Sequence, residues 1–395
     1  MHRIGLILTI LAFSFESLLA GDLDPQLANQ ISGKTGDQTV KVWIQLPRTE
    51  NIKAFKTSLS AQSTSLAVQH SVAMKHFRTE HAAAQKSLLS YLKSLPKGKS
   101  ATRIKSHWLV NMVEAEVPIS DLSDIAARPD VKMVYAVPRI TAITPVETSP
   151  APAQTTSVQP NLTYIHAQDA WVAGYTGKGR LVCSFDTGVD GSSPYIHDNW
   201  KGLDGDSAAA WFDPSKNLPY PHSISNCGYI DCNTNHGTHV MGIMVGHSST
   251  DTIGVAPDAK WISAAVIDLA GTSIVDAFEW AADPDGDPNT IGDMPDVINN
   301  SWGILDAGCE NLFFNLIDNI EALGIVAIFA AGNEGTLGTS TIRNPAVRAL
   351  DSLDCFAVGN VNNSGVLNGS SSRGPSTCPG GAIKPNVVAP GTTII

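Results

Sequence analysis

One stretch of the chain decides the fold prediction, and it reads Asn235-His236-Gly237-Thr238-His239-Val240-Met241-Gly242. The apolar run from Val240 to Gly246 has no polar face, so a helix here is expected to be buried on all sides. His236 then lies at the helix start, where the partial positive charge of the backbone disfavours imidazolium. We therefore expect a neutral ring at pH 7 that accepts a proton, as a general base does. The alternative is a core histidine with a structural role.

Length and charge indicate two unequal regions. The chain has 395 residues, of which 43% are hydrophobic, enough for two domains with a large core. Residues 1–150 carry 17 Lys and Arg against 12 Asp and Glu, whereas residues 151–395 carry 9 against 25. These opposite net charges favour docking of the first region on the second, although an acidic surface also keeps exported proteins soluble. The second region has no large basic cluster, which argues against a nucleic-acid partner.

Residues 1–20 are typical of a secretory signal peptide. A short basic start at His2 and Arg3 precedes an apolar run from Ile4 to Phe13, and Leu18-Leu19-Ala20 comes before a polar stretch. The run is too short to span a bilayer unaided, and no other stretch is long and apolar enough. The sequence therefore predicts a secreted protein, extracellular or periplasmic, with no membrane partner after signal removal.

Residues 21–140 predict a small antiparallel α+β domain with its core at about 38–138. Its expected elements are, in order, a strand at 38–46, a helix at about 66–95, a strand at 108–118, a helix at 119–127 and a strand at 131–137. Nothing in this region resembles a catalytic group. Residues 141–160 are rich in Thr, Pro, Ala, Ser and Gln, which predicts an exposed linker that proteases cut.

Residues 161–395 predict an α/β domain with a doubly wound, mostly parallel sheet. Strand-like runs alternate with helical patterns, and the expected strands are 180–185, 261–267, 296–301, 325–331 and 355–360. The helix expected at 310–323 carries an apolar stripe and ends at Gly324. In such sheets, reactive groups gather at the carboxyl ends of the strands.

Two further polar side chains stand at those strand ends. Asp186 closes the first expected strand before Thr187 and Gly188, where a carboxylate is able to orient an imidazole. Asn333 follows another strand, and its amide is a donor suited to an oxyanion. Taken singly, each is also compatible with an ordinary glycine turn.

Together, the three stretches around Asp186, His236 and Asn333 resemble the subtilisin-like serine proteases, from about residue 161 to 395. The resemblance also rests on Asn299-Asn300-Ser301-Trp302-Gly303, Ser371-Ser372-Arg373-Gly374-Pro375 and Lys384-Pro385-Asn386-Val387-Val388-Ala389-Pro390-Gly391. The Asn-Asn-Ser-Trp-Gly form, with Gly254-Val255-Ala256-Pro257 before it, is most similar to the bacillopeptidase F branch of the family. Residues 38–138 more loosely resemble the inhibitory propeptide of these enzymes.

The resemblance implies roles for individual residues. His236 is expected to act as general base and then acid, with Asp186 as its orienting partner and Asn333 as an oxyanion donor. Protein or peptide substrates are expected to lie extended between two backbone segments, beside the pocket for the residue that precedes the cut. The implied substrate-binding residues are Leu269, Ala270, Gly271, Thr272, Ser273, Ser301, Trp302, Gly303, Ala330, Ala331, Gly332 and Glu334.

The nucleophile of the family has no counterpart in the printed sequence. It belongs to a Gly-Thr-Ser-Met-Ala motif roughly twenty residues past the Pro390-Gly391 step, whereas the sequence ends at Ile395. Ser273, in Gly271-Thr272-Ser273, precedes Asn333 and falls in the substrate-lining segment, so it is not the expected nucleophile. The hypothesis is a secreted endopeptidase precursor with its serine beyond Ile395. The alternative is a non-catalytic pseudoprotease or a propeptide-type protease inhibitor.

Cysteines and acidic loops give weaker indications. Six cysteines in an exported chain permit disulfides; Cys227 and Cys232, which flank a short loop, are the expected pair, and Cys183 is expected to be a free core thiol. No cofactor is required by the hypothesis. Asp283, Asp285 and Asp287 are candidate ligands for a structural calcium ion, although this loop lacks the glycine position and the final glutamate of an EF-hand.

Overall fold

The computed structural model of the chain describes residues 21–62, 65–95, 101–144, 158–214, 218–223, 235–268, 274–305, 309, 312–392 and 394. The expected signal peptide at 1–20, the Cys227–Cys232 pair and the predicted substrate-lining residues 269–273 all lie outside these ranges. No helix among the described residues is long and apolar enough to cross a membrane.

The first region is a five-stranded sheet with helices, and its strand order is β1-β5-β2-β4-β3. All its strand pairs are antiparallel except β1 with β5. Its elements are β1 Asp22–Leu23, α1 Pro25–Ile31, β2 Thr39–Gln45, α2 Ile52–Gln62, α3 Leu66–Ser94, β3 Thr102–His107, β4 Met112–Pro118, α4 Leu122–Ala126 and β5 Met133–Ala136. The alternating apolar residues of β2 and β4 pack with Leu88 and Leu92 of α3 in one core.

The structure has two strands over residues 102–118, β3 and β4, whereas the sequence predicted one strand at 108–118. The strand expected at 108–118 begins only at Met112, because residues 108–111 form a turn that joins it to β3. The β3 sequence, Thr-Arg-Ile-Lys-Ser-His, is polar because this strand lies at the sheet edge, and it therefore shows no apolar alternation. The helix α2 was also missed.

The second region is a doubly wound α/β domain, as predicted. Its seven strands run in the order β14-β13-β12-β10-β7-β9-β8, and every pair is parallel. Two short strands, β6 and β11, pair outside this sheet. Its elements are α5 Pro160–Tyr164, α6 Ala167–Val172, β7 Leu181–Asp186, β8 Trp211–Phe212, α7 His236–Val245, β9 Lys260–Ala265, α8 Ile274–Ala282, β10 Val297–Asn300, β11 Trp302–Gly303, α9 Leu312–Ala322, β12 Val326–Ala330, β13 Phe356–Val361 and β14 Val387–Pro390. The strand β6, Thr141–Ala142, precedes this domain in the chain.

The five strands expected in this domain are confirmed, with ends that agree within two residues. The central strand β7 explains why they were recognisable, since all six of its residues are buried between flanking layers. The edge strands β8 and β14 were missed because one has only two residues and the other is partly exposed. The helix α7 begins at His236 as predicted.

One expectation about the cysteines is confirmed, and the structure also contains a disulfide that the sequence did not predict. Cys183 is a buried free thiol, as predicted, and burial raises its pKa well above the usual value. Cys355 is also free and buried. A disulfide joins Cys309 to Cys378, which are 69 residues apart. Their separation gave no local signal in the sequence.

The basic first region docks on the acidic second region. Among the described residues, four ion pairs of Lys or Arg cross between them at 2.6–2.8 Å, and they join Arg48 to Asp318, Lys56 to Glu321, Arg78 to Asp283 and Lys105 to Asp276. Apolar packing also continues across the contact, where Trp43 meets Phe313 with ring centroids 5.8 Å apart. The opposite net charges of the two regions, seen in the sequence, thus correspond to a direct contact between them.

Glu279, on α8, holds the turn between β3 and β4. One carboxylate oxygen accepts hydrogen bonds from the backbone N–H groups of Trp108 at 2.6 Å and Leu109 at 3.1 Å. The other oxygen lies 3.2 Å from Nδ1 of His107. Asn319 donates to the Leu109 carbonyl at 2.7 Å. This turn therefore fixes where the first region lies on the second.

We predict that Glu279→Ala weakens this docking. The substitution leaves the Trp108 and Leu109 amides without their acceptor, which costs about 1–3 kcal/mol. Amide hydrogen exchange at these two positions should report that loss in opening free energy. Asp258→Ala, at an exposed acid of the same domain, should change it by less than about 0.5 kcal/mol. Equal effects of the two substitutions would contradict the assigned contact.

Candidate active site

Asp186 and His236 meet where a strand ends and a helix begins. Asp186 is the last residue of β7 and has no exposed surface, and His236 is the first residue of α7 and is 5% exposed. Nδ1 of His236 lies 2.7 Å from Oδ1 of Asp186. The same oxygen accepts the Thr187 N–H at 2.7 Å. The carboxylate is thus held by the backbone at the strand end and orients the imidazole.

A glycine permits this approach. A Cβ added at Gly237 would lie 3.0 Å from Cβ of Asp186 and even closer to the carbonyl oxygen of Gly188. The Gly237 N–H donates to Oγ1 of Thr187 at 3.2 Å. The first turn of α7 therefore rests directly on the end of β7, and a side chain at 237 would push them apart.

The electrostatics of His236 differ from the sequence prediction. Burial lowers the pKa of His236, but the negative charge of Asp186, its hydrogen bond and the Ile143 carbonyl outweigh burial and raise the pKa above its ordinary value. The helix start alone predicted a lowered pKa for His236, and that direction was wrong, because the Asp186 carboxylate places a full negative charge beside the ring. Since the folded-state pKa is raised, this pair stabilises the fold fully below pH 6.5, and the contribution is lost as pH rises through the folded pKa.

Residues 140–144 of the chain lie extended against this pair. The strand β6 pairs antiparallel with β11, and the Ile143 N–H donates to the Ser301 carbonyl at 2.8 Å. On the opposite side, Asp268 donates its N–H to the Ile140 carbonyl and accepts the Ala142 N–H, each at 3.4 Å. The segment is therefore held between two backbone borders in the way an added strand is held.

This segment includes residues of the exposed linker that the sequence predicted at 141–160. Residues 141–144 are half-buried in the cleft, and residues 145–157 lie outside the described ranges. The Thr- and Pro-rich composition hid a short strand because its pairing partner, β11, lies 160 residues further along the chain. Asp268 was also missed. It directly precedes the predicted substrate-lining segment 269–273, and its φ of 58° marks a turn that sequence alone does not reveal.

Two backbone carbonyls within residues 140–144 point at the predicted site residues. The Ile143 carbonyl oxygen lies 3.2 Å from Nε2 of His236, and Asn333 donates its side-chain amide to the Thr144 carbonyl at 2.5 Å. Both ring nitrogens of His236 thus face oxygen acceptors, one on Asp186 and one on Ile143. Only the doubly protonated ring donates to both, in agreement with its raised pKa. The structure brings Asp186, His236 and Asn333 to one short stretch of backbone.

The remaining predicted pocket residues lie beside this stretch. Ala330 ends β12, and Ala331 and Gly332 follow it. Glu334 forms an ion pair with Arg343, a residue that the sequence did not indicate. Burial raises the pKa of Glu334, but the hydrogen bonds and charge of Arg343 bring that pKa below its usual value. No sequence pattern pointed to Arg343, because its contact with Glu334 depends on how the loop that carries the arginine folds back toward the end of β12.

The candidate calcium loop directs its carboxylates at protein groups. Asp283 pairs with Arg78 at 2.6 Å, Asp285 accepts the Asp287 N–H at 2.7 Å, and Asp287 accepts the Asn289 N–H at 3.0 Å. Within the described ranges, the two groups of side chains close enough to share an ion lie elsewhere, at His107, Asp276 and Glu279 and at Asp318, Glu321 and Asp354. The three aspartates therefore do not converge on a common point.

We predict that Gly237→Ala strongly destabilises the site. The added methyl group overpacks the contact between α7 and β7, which costs about 1–3 kcal/mol and displaces His236 from Asp186. Gly242→Ala is a matched control on the same helix, because its Cβ meets only Ile253 at 3.7 Å. The control should be neutral or stabilise by up to about 1 kcal/mol. Thermal unfolding of the two variants measures the difference, and comparable melting temperatures would contradict the close approach.

Comparison with known proteins agrees with this geometry. The Subtilase family matches residues 177–394, more than half of the chain. Bacillopeptidase F of Bacillus subtilis (strain 168) is 29% identical over 358 residues, which cover 87% of this chain and 24% of that protein. Subtilisin E of the same organism is 32% identical over 244 residues, 60% of this chain and 53% of that protein. The chain thus spans about a quarter and about half of the length of these relatives. The protein belongs to the subtilase family.

Proposed function

We propose that this protein is the precursor of a secreted serine endopeptidase whose active site is held shut by its own residues 21–144. One observation carries the proposal. Residues 140–144 lie extended between Asp268 and β11, with the Thr144 carbonyl on Asn333 and the Ile143 carbonyl on His236. A peptide substrate of a serine protease lies extended in the same way, with its scissile carbonyl at the oxyanion donor.

The proposed reaction gives each side chain one task. A serine hydroxyl attacks the substrate carbonyl while Nε2 of His236 takes its proton, and Asp186 holds Nδ1 and balances the charge that forms on the ring. The Asn333 amide donates to the oxyanion. His236 then delivers the proton to the leaving amine, and water repeats the sequence to release the acid. The serine is proposed to lie beyond Ile395, in the Gly-Thr-Ser motif of the family.

The proposed inhibition follows from the same contacts. Nε2 of His236, which must accept a proton for catalysis, already faces the Ile143 carbonyl. The antiparallel pairing of β6 with β11 fills the edge that a substrate backbone would use. The ion pairs between the two regions keep the segment in place. Residues 21–144 thus act as an intramolecular inhibitor until they are removed.

Export and ion requirements complete the proposal. Residues 1–20 carry the signal-peptide pattern, and one relative, 29% identical over 229 residues, is named Minor extracellular protease Vpr of Bacillus subtilis (strain 168). The proposed location is extracellular or periplasmic, and the proposed partners are protein or peptide substrates. The proposed chemistry needs no cofactor, because the nucleophile, base and oxyanion donor are all protein groups. Calcium enters only as an optional structural ion.

We predict that the gene product extended past Ile395 hydrolyses peptides once the first region is removed. His236→Ala should lower kcat by about 10⁴–10⁶, a magnitude taken from subtilisin and related triad enzymes. Asn333→Ala should cost about 10²–10³ in kcat, as the loss of one oxyanion donor does. His239→Ala is the matched control, since this exposed histidine lies one turn along the same helix, and it should change kcat less than about threefold.

Two outcomes would contradict the proposal. Hydrolysis that survives His236→Ala would require a different base. A reading frame that stops at Ile395 without a Gly-Thr-Ser motif would favour the pseudoprotease or inhibitor hypothesis. The 395-residue chain itself is expected to show no hydrolysis through this site, so it serves as the blank in each assay.

A further inference from the structure

The space beside Thr144 has two borders. One is β11, to which the bound segment pairs, and the other is the stretch 330–334, whose Asn333 holds the Thr144 carbonyl. The side chain of the residue before the cut is expected to lie between these borders. The size of that space therefore determines which residue a substrate can present there.

Arg343 occupies this space. A Cβ added at Gly303 would lie 2.7 Å from Cβ and 2.9 Å from Cδ of Arg343, and one added at Gly332 would lie 3.1 Å from its Cγ. The arginine stem thus contacts the glycine of each border. Its backbone N–H donates to the Ala331 carbonyl at 3.0 Å, which fixes the start of the side chain.

Glu334 holds the guanidinium group of Arg343 in place. Nε donates to Oε1 of Glu334 at 3.0 Å, and Nη2 donates to the same oxygen. The other carboxylate oxygen accepts the Asn333 N–H at 3.0 Å and the Ser372 hydroxyl at 3.1 Å. The side chains of Arg343 and Glu334 are only 13% and 14% exposed. Moving the arginine away would leave a largely buried carboxylate without its partner, which is costly.

The pair also determines the charge of the pocket. Because Arg343 and Glu334 neutralise each other, the pocket offers no net opposite charge to an acidic or a basic substrate side chain. The volume that a large apolar side chain needs is filled by the arginine stem. Residue 144 of the chain, whose carbonyl accepts the Asn333 amide, is a threonine.

We propose that Arg343, held by Glu334, closes the pocket for the residue before the cut, so that the pocket accepts small uncharged side chains and rejects aromatic ones. This inference rests on the proposed endopeptidase function. Arg343 thereby becomes a specificity-determining residue. Alanine, serine and threonine fit this pocket, whereas phenylalanine does not.

The pocket can be tested in the 395-residue chain without any hydrolysis. Thr144→Phe should raise the exchange rate of the Ile143 amide, which donates to Ser301, at least about tenfold over Thr144→Ala. With Arg343→Ala in both chains, this difference should disappear. If the Arg343→Ala variant does not fold, the double variant Arg343→Ala/Glu334→Gln takes its place in this comparison, because it also removes the unpaired carboxylate. Equal protection of Ile143 in Thr144→Phe and Thr144→Ala, with Arg343 present, would overturn the inference.

Kinetics with the extended, activated protein separate this inference from the proposed function. Peptides with alanine before the cut should exceed those with phenylalanine at least about tenfold in kcat/KM, and Arg343→Ala should abolish or reverse that preference. Hydrolysis with equal rates for both peptides overturns the closed pocket and leaves the proposed function standing. No hydrolysis of either peptide overturns the proposed function, while the exchange result still decides the pocket.

Discussion

The buried hydrogen bond between Asp186 and His236 is the interaction on which the rest of the site depends. It exists because a parallel strand delivers a carboxylate to its carboxyl end and a buried helix begins opposite it. The contact requires backbone to approach backbone at Gly237, where no side chain fits. Once the carboxylate is placed there, its charge and hydrogen bond raise the pKa of the His236 ring against the lowering effect of burial.

The first region binds to the second partly through this site. Complementary charges bring the two regions together, and Glu279 fixes the turn at Trp108 and Leu109. The chain then leads from β5 into the cleft, where Ile143 and Thr144 place their carbonyls on His236 and Asn333. The hydrogen bonds that hold this segment in the cleft are therefore the same ones that the proposed catalysis uses.

Much of this architecture is readable in the sequence because buried parallel strands leave a strong local signal. The strand before Asp186, the helix after His236 and the strand before Asn333 each carry it, so their polar ends stood out. Other parts depend on contacts between distant residues. Arg343 lies in an irregular loop, β6 pairs with a strand 160 residues away, and Cys309 bonds a cysteine 69 residues on. The direction of the His236 pKa shift also required the structure, because it depends on how close Asp186 and Ile143 lie.

The most direct test of this account is the titration of His236 in the 395-residue chain, followed by NMR of nitrogen-15-labelled imidazole. We expect a midpoint above 6.5, with both ring nitrogens protonated below it, and a lower midpoint in Asp186→Asn. A midpoint at or below 6.5 in the folded chain, unaffected by Asp186→Asn, would contradict the convergence of carboxylate, imidazole and bound segment.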